Sequence, residues 1–234
     1  LGEYGYRTIF LNERLSMGLA PEGLAEYVGQ RGRWCLGAIQ QVYTKWSPWG
    51  RANISLANRI SCLDGIMHWS AGFLFKIMMM LAPMIYWWTG SAVMSSTVED
   101  MLEQLAPYLL CALMFMGLLA GNRVLPVLTD VSHLICAPTI VRNVAIGFIK
   151  PYGQKFKVTA KGVSSDSVVV QWRLLMPFLI IAILTVVGMA MNMSAQSPLN
   201  GNPGFTINVF WTVFNIFVLT CACMVCVELP RRRR

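Results

Sequence analysis

The residues best suited to chemistry are Gln30, Arg33 and Trp34, in the run Gly29-Gln30-Arg31-Gly32-Arg33-Trp34. Their spacing of i, i+3 and i+4 places them on one face of a helix. Arg33 offers a guanidinium fork that matches a diphosphate and stabilises charge developing on a leaving phosphate. Gln30 adds a neutral donor. Trp34 offers an apolar face for a sugar ring and an N–H for a hydroxyl. This set suits a sugar nucleotide. It also suits a membrane-surface helix with a snorkelling Arg and an interfacial Trp, and the residue types alone leave both readings open.

A second group lies in Phe156-Lys157-Val158-Thr159-Ala160-Lys161-Gly162. Phe156 and Val158 alternate with Lys155 and Lys157, as in an extended segment. Thr159 brings a hydroxyl and Lys161 a compact phosphate-binding charge. Gly153 and Gly162 flank the segment as hinges. A mobile basic loop of this kind closes over a nucleotide site and excludes water; an ordinary basic cytoplasmic loop has the same composition.

Three further features carry charge or sulfur. Lys76 sits inside an apolar run with Asp64 and His68 before it. It either lines a polar route through the membrane or snorkels to the cytoplasmic edge. Arg231, Arg232, Arg233 and Arg234 form a basic run that anchors topology, meets anionic lipid, or binds a cyclic dinucleotide if a domain follows. Cys221, Cys223 and Cys226 have a spacing that allows a metal or redox pair. With no His or second pair nearby, polarizable packing inside a membrane helix is the simpler account.

The elements that position these residues belong to a membrane protein. The chain has 234 residues, is 56% hydrophobic and carries a net charge of +8; its mean hydropathy is +0.54. Four spans are expected, over Ile66–Trp88, Leu105–Leu119, Leu174–Met193 and Phe205–Val227. The stretch Thr89–Gln104 holds Glu99, Asp100 and Glu103 but no Lys or Arg, whereas the segments on the other side are basic. The positive-inside rule puts both chain ends in the cytoplasm. The net charge is explained by anionic headgroups and a phosphorylated substrate, without nucleic acid. Trp69, Trp87, Trp88, Trp172 and Trp211 lie near span ends, where indoles favour the interface.

Between the spans, Pro21 and Glu22 are expected to open an amphipathic helix reaching Tyr43. Leu24, Tyr27, Val28, Cys35, Ala38, Ile39 and Val42 form its apolar stripe, with Arg31 inside it, either snorkelling or pointing into protein. Val131–Ile149, interrupted by His133, Pro138, Arg142 and Asn143, reads as a second interfacial helix. Residues 1–20 read as the tail of a soluble domain, with a short strand between Gly5 and Asn12. Leu1 follows no initiator Met and the last residues are arginines, so both ends read as truncations.

The two motifs together resemble a known family. Gln30-Arg31-Gly32-Arg33-Trp34 is similar to the Q-x-x-R-W motif of processive family-2 glycosyltransferases. Phe156 to Gly162 resembles the F-x-V-T-x-K-G gating loop of bacterial cellulose synthases. The order of elements matches too: surface helix, two spans, interfacial helix, loop, two spans. The resemblance implies a mainly α polytopic membrane fold preceded by the tail of an α/β glycosyltransferase domain. It divides the chain into that tail (1–20), an interfacial helix with connector (21–59), two spans (60–122), an interfacial helix with gating loop (123–170), two spans (171–228) and the start of a linker to a PilZ-type domain (229–234).

The implied activity is polymerisation of glucose from UDP-glucose into β-1,4-glucan, with secretion of the growing chain through a bacterial inner membrane. Gln30 and Arg33 would hold the UDP diphosphate, and Trp34 would underlie the acceptor glucose. Phe156, Val158 and Thr159, supported by Lys161, would close over UDP. Mg²⁺ would be held by acids upstream of Leu1, where the catalytic base is also expected, so the 234 residues alone are expected to be inactive. Cyclic di-GMP would activate the whole protein through a linker beginning at Arg231–Arg234. A membrane-anchored periplasmic subunit would be a partner. The alternatives are a curdlan, chitin or hyaluronan type synthase, or a channel or transporter subunit without enzymatic activity.

Overall fold

The computed structural model describes residues 2–6, 9, 11, 13, 15–93, 97–120, 126–154, 167–194, 196–202 and 204–230. It is mainly helical: α1 (Leu24–Gln40), α2 (Leu56–Met67), α3 (Phe73–Thr89), α4 (Val98–Ala120), α5 (Pro126–Ile149), α6 (Trp172–Asn192) and α7 (Phe205–Val225). A π-helical turn, His68–Gly72, joins α2 to α3. The two-residue strands Val169–Val170 and Val227–Glu228 pair with each other.

Among the described residues, five helical stretches are long and apolar enough to cross a membrane: Leu56–Thr89, Glu99–Leu119, Leu128–Ile149, Trp172–Asn192 and Phe205–Val225. Four coincide with the expected spans to within two residues at their C-terminal ends. The first starts earlier than expected because Ser55 accepts a hydrogen bond from the Asn58 N–H at 3.3 Å and caps the helix within a polar stretch. The remaining stretch includes Val131–Ile149, where Pro138 sits inside a continuous helix. Its polar residues do not break it, although they were expected to make it too interrupted to span. The surface helix starts at Leu24, not Pro21, with Gly23 at its N-cap. Tyr6, Ile9, Leu11 and Glu13, the described part of the expected short strand, lie in no strand.

The chain divides into two compact units. The first holds Leu1–Phe75, Cys136–Val169 and Glu228–Arg234. Here the stripe of α1 is covered by the second half of α5. Val28, Cys35 and Ile39 are buried as the periodicity predicts. Cys35 Sγ donates to the Ile140 carbonyl at 3.7 Å, and burial pushes its thiol up to about 12. Gln40 Nε2 donates to the Pro151 carbonyl, and Tyr43 Oη to that of Phe148 at 2.8 Å. Close approach requires small residues. A Cβ on Gly147 would lie 2.7 Å from Ile39 Cγ2 and 3.0 Å from its Cβ. One on Gly32 would meet only the mobile amide of Asn143, at 2.4 Å, and Thr139 Cγ2 at 3.1 Å. Gly147→Ala is therefore expected to cost about 1–3 kcal/mol through overpacking against a stiff β-branched neighbour. Gly32→Ala should cost less, and thermal unfolding in detergent of the two variants checks the order.

The connector after α1 is ordered by Arg59 of α2. Its Nη1 donates to the carbonyls of Pro48 (2.8 Å) and Gly50 (2.9 Å), and its Nη2 to that of Ala52 (2.9 Å). Glu3 accepts from Trp46 Nε1 and Lys45 Nζ, both at 3.1 Å. The Trp46 bond, with help from Lys45, holds its carboxyl below the usual range.

The second unit holds Lys76–Ile135 and Val170–Val227. Helices α6 and α7 pack side by side, and Gln171 N–H donates to the Cys226 carbonyl at 2.9 Å. Polar side chains tie α3 to both. Pro83 interrupts α3 and has no N–H, so the Met79 carbonyl one turn earlier loses its helical donor. Asn215 of α7 supplies the replacement: its Nδ2 lies 3.2 Å from the Met79 oxygen and 3.3 Å from that of Met80. In an apolar surrounding such a repair matters, because no water can make it. Asn215→Leu is expected to lower stability in detergent by about 1 kcal/mol. The loss should shrink in a Pro83→Ala background, where the backbone donor returns.

Further along α3, Trp87 is 2% exposed, within the core rather than at an interface as expected. Its Nε1 donates to Thr212 Oγ1 at 2.8 Å. Asn192 Nδ2 donates to the Trp87 and Gly188 carbonyls, both at 2.9 Å. Trp88 Nε1 reaches the Leu184 carbonyl at 3.0 Å. Tyr86, Trp87 and Leu199 form the buried cluster here, with Phe205 against the Trp87 ring.

Candidate functional site

The candidate site is the outward side of α1. Burying Val28, Gly32, Cys35 and Ile39 against α5 fixes the rotation of the helix. That rotation leaves Gln30 and Arg33 half-buried and Trp34 52% exposed. The three residues therefore share one rigid helix, as their spacing predicts.

Among the described residues Arg31 forms no ion pair with an acid and lies against two aromatic rings. Its guanidinium carbon lies 5.3 Å from the Tyr27 ring centroid and 5.2 Å from that of Trp34. Its Nε is buried and has no hydrogen-bond partner among the described residues. Tyr27, Arg31 and Trp34 stand at i, i+4 and i+7, one column along the helix. That spacing is legible in the sequence, although the sequence reading did not connect the three.

The column side continues past Trp34 to Ala38 and Gln41, again at i+4 and i+7. Both line a cleft of about 400 Å³ shared with Trp46, Asn58, Ser61 and Cys62. Gln41 Nε2 donates to Cys62 Sγ across it at 3.1 Å. Amides, a hydroxyl, an indole and the Glu3 carboxylate, beside Ile54 and Ile66, make the cleft amphipathic, the kind of lining that takes a polar molecule with apolar faces.

Phe156, Val158, Thr159 and Lys161, and Arg231, Arg232, Arg233 and Arg234, lie outside the described residues. Lys76 forms an ion pair with Asp130 of α5. At 1.5 Å per residue it lies about 20 Å before the end of α3, at hydrocarbon depth for a spanning helix. His68 makes edge-on ring contacts with Trp69 and Phe73. None of the seven cysteines forms a disulfide, and Cys226 is buried. Among the described residues no three His, Cys, Asp or Glu side chains converge as metal ligands.

No family model matches the chain. It is 24% identical over 235 residues to a cellulose synthase catalytic subunit (UDP-forming) of Pseudomonas fluorescens, covering 100% of this chain and 32% of that protein. It is 21% identical over 237 residues to the cellulose synthase 1 catalytic subunit (UDP-forming) of Komagataeibacter xylinus, covering 98% of this chain and 31% of that protein. A cellulose synthase 1 of Novacetimonas hansenii is 21% identical over 98% of this chain, which matches 15% of its length. The chain thus spans about a third or less of these relatives. The similarity to cellulose synthases runs along the whole chain and, with five long apolar helices among the described residues, is consistent with a membrane region of cellulose-synthase type.

Proposed function

We propose that the chain forms the membrane part of a processive glycosyltransferase that adds glucose from UDP-glucose to a β-1,4-glucan and passes the polymer across a bacterial inner membrane. The supporting observation is that Gln30, Arg33 and Trp34 share one rigid helix in a chain similar from end to end to UDP-forming cellulose synthases.

In this reading the acceptor hydroxyl attacks the anomeric carbon of UDP-glucose, the carbon–oxygen bond to UDP breaks, and the configuration inverts. Arg33 takes up the negative charge that grows on the leaving diphosphate, with Gln30 donating beside it. Trp34 carries the acceptor glucose on its exposed indole. Phe156, Val158, Thr159 and Lys161 belong to the loop that closes over UDP and excludes water. The cleft beyond Ala38 and Gln41 takes the product as it moves towards the spans. Mg²⁺ and the catalytic base belong, in this reading, to other parts of the full-length protein. Arg231–Arg234 lead towards a cyclic di-GMP-binding region, and a membrane-anchored periplasmic subunit is the partner. The basic side of the membrane, with both ends of the chain, is cytoplasmic.

Vesicles carrying the full-length protein test the reading. Radiolabelled UDP-glucose should enter a polymer that an endo-β-1,4-glucanase releases, with 1,4-linkages on methylation. Another linkage would assign the chain to a different β-glycan synthase. Neither incorporation nor UDP binding in folded protein would favour a channel or transporter subunit.

A further inference from the structure

A charged side chain inside the apolar stripe of α1 needs a physical reason. Arg31 falls between Val28 and Cys35, both buried. Desolvating a cation without compensation is costly. The compensation here is aromatic: Tyr27 and Trp34 hold the guanidinium between two ring faces, at 5.3 and 5.2 Å, inside the range of a cation–π contact. Because Nε has no hydrogen-bond partner among the described residues, ring faces rather than a polar network hold that end of the guanidinium.

The effect on Trp34 is larger than the effect on Arg31. An indole that is 52% exposed has little packing of its own to select a rotamer. The guanidinium lies over one face of the ring, while the indole as a whole stays 52% exposed. From this we infer that Arg31 is a positioning residue: with Tyr27 as its support, it fixes the plane of Trp34 so that the opposite face is presented to a carbohydrate ring. Arg31 itself does not touch the diphosphate, which separates its role from that of Arg33, two residues on. The inference rests on reading Trp34 as the acceptor platform.

Loss of the guanidinium should loosen the platform without weakening the grip on UDP. Misplacing a reacting group by a small distance is enough to slow transfer strongly. In the full-length protein, Arg31→Leu is expected to lower kcat for glucose incorporation by about 10-fold, while UDP affinity by calorimetry stays within about 2-fold of the starting protein. Arg31→Lys keeps a cation over both rings and should recover to within about 3-fold. Tyr27→Leu removes the support and should lower kcat in the same direction, again with UDP affinity unchanged.

The outcomes separate the layers of the argument. Trp34→Ala with undiminished elongation would remove the acceptor reading and the inference with it. Impaired Trp34→Ala beside unimpaired Arg31→Leu would overturn the inference alone. A loss of UDP affinity in Arg31→Leu as large as in Arg33→Ala would make Arg31 a diphosphate ligand and overturn it too. Should Arg31→Leu fail to fold, Arg31→Lys and Tyr27→Leu decide: equal kcat in Tyr27→Leu and the starting protein contradicts the role, and a lowered kcat with intact UDP binding supports it.

Discussion

Arg33→Ala in the full-length protein is expected to reduce kcat/KM for glucose transfer from UDP-glucose by about 100-fold, the effect of removing one preorganised donor from a developing anion. The expectation depends on rigidity. Arg33 projects from a helix whose rotation is set by Val28, Cys35 and Ile39, buried against α5. Its guanidinium therefore needs little reorganisation as charge builds on the diphosphate. Arg33→Lys should recover only part of the loss, because an ammonium cannot form the paired donor fork. Initial rates at several UDP-glucose concentrations provide the measurement. A loss below about 3-fold would place Arg33 outside the reacting centre.

The second large effect lies in the membrane. Asp130→Ala is expected to destabilise the protein in detergent or bilayer by about 2–4 kcal/mol, because Lys76 would be left without a partner at hydrocarbon depth. Lys76→Met should be milder, since the acid left behind is near the start of α5. The double variant Lys76→Met with Asp130→Leu should recover most of the stability, as apolar replacement of both members removes the desolvation cost along with the attraction. Unfolding of the four proteins in a double-mutant cycle measures the coupling. Additive losses would show that the pair contributes nothing.

The sequence revealed the long apolar helices because hydropathy requires only a local sum. It also revealed the buried stripe of α1, since Val28, Cys35 and Ile39 recur at helical spacing. That Gln30, Arg33 and Trp34 share one helix was legible for the same reason. What escaped depends on distance along the chain or on backbone chemistry. Asp130 is far from Lys76 in sequence, and no local pattern joins them. The start of α2 at Leu56 follows from the Ser55 cap, hidden in a stretch that reads as a turn. The repair of Met79 by Asn215 becomes visible only when Pro83 and α7 are side by side. Arg31 was noticed as an anomaly in an apolar stripe. Its answer, the rings of Tyr27 and Trp34, lay four residues before it and three after it.

UDP affinity is the most direct measure of the central claim, that α1 and the loop after α5 together grip the nucleotide of a sugar donor. Calorimetric titration of UDP should be run on the full-length protein, on Arg33→Ala and on Thr159→Ala. Arg33→Ala should bind at least about 10-fold more weakly, the loss of a charge-assisted hydrogen bond. Thr159→Ala should bind more weakly by a smaller factor. Unchanged UDP affinity in both variants, with the protein folded, would contradict the account.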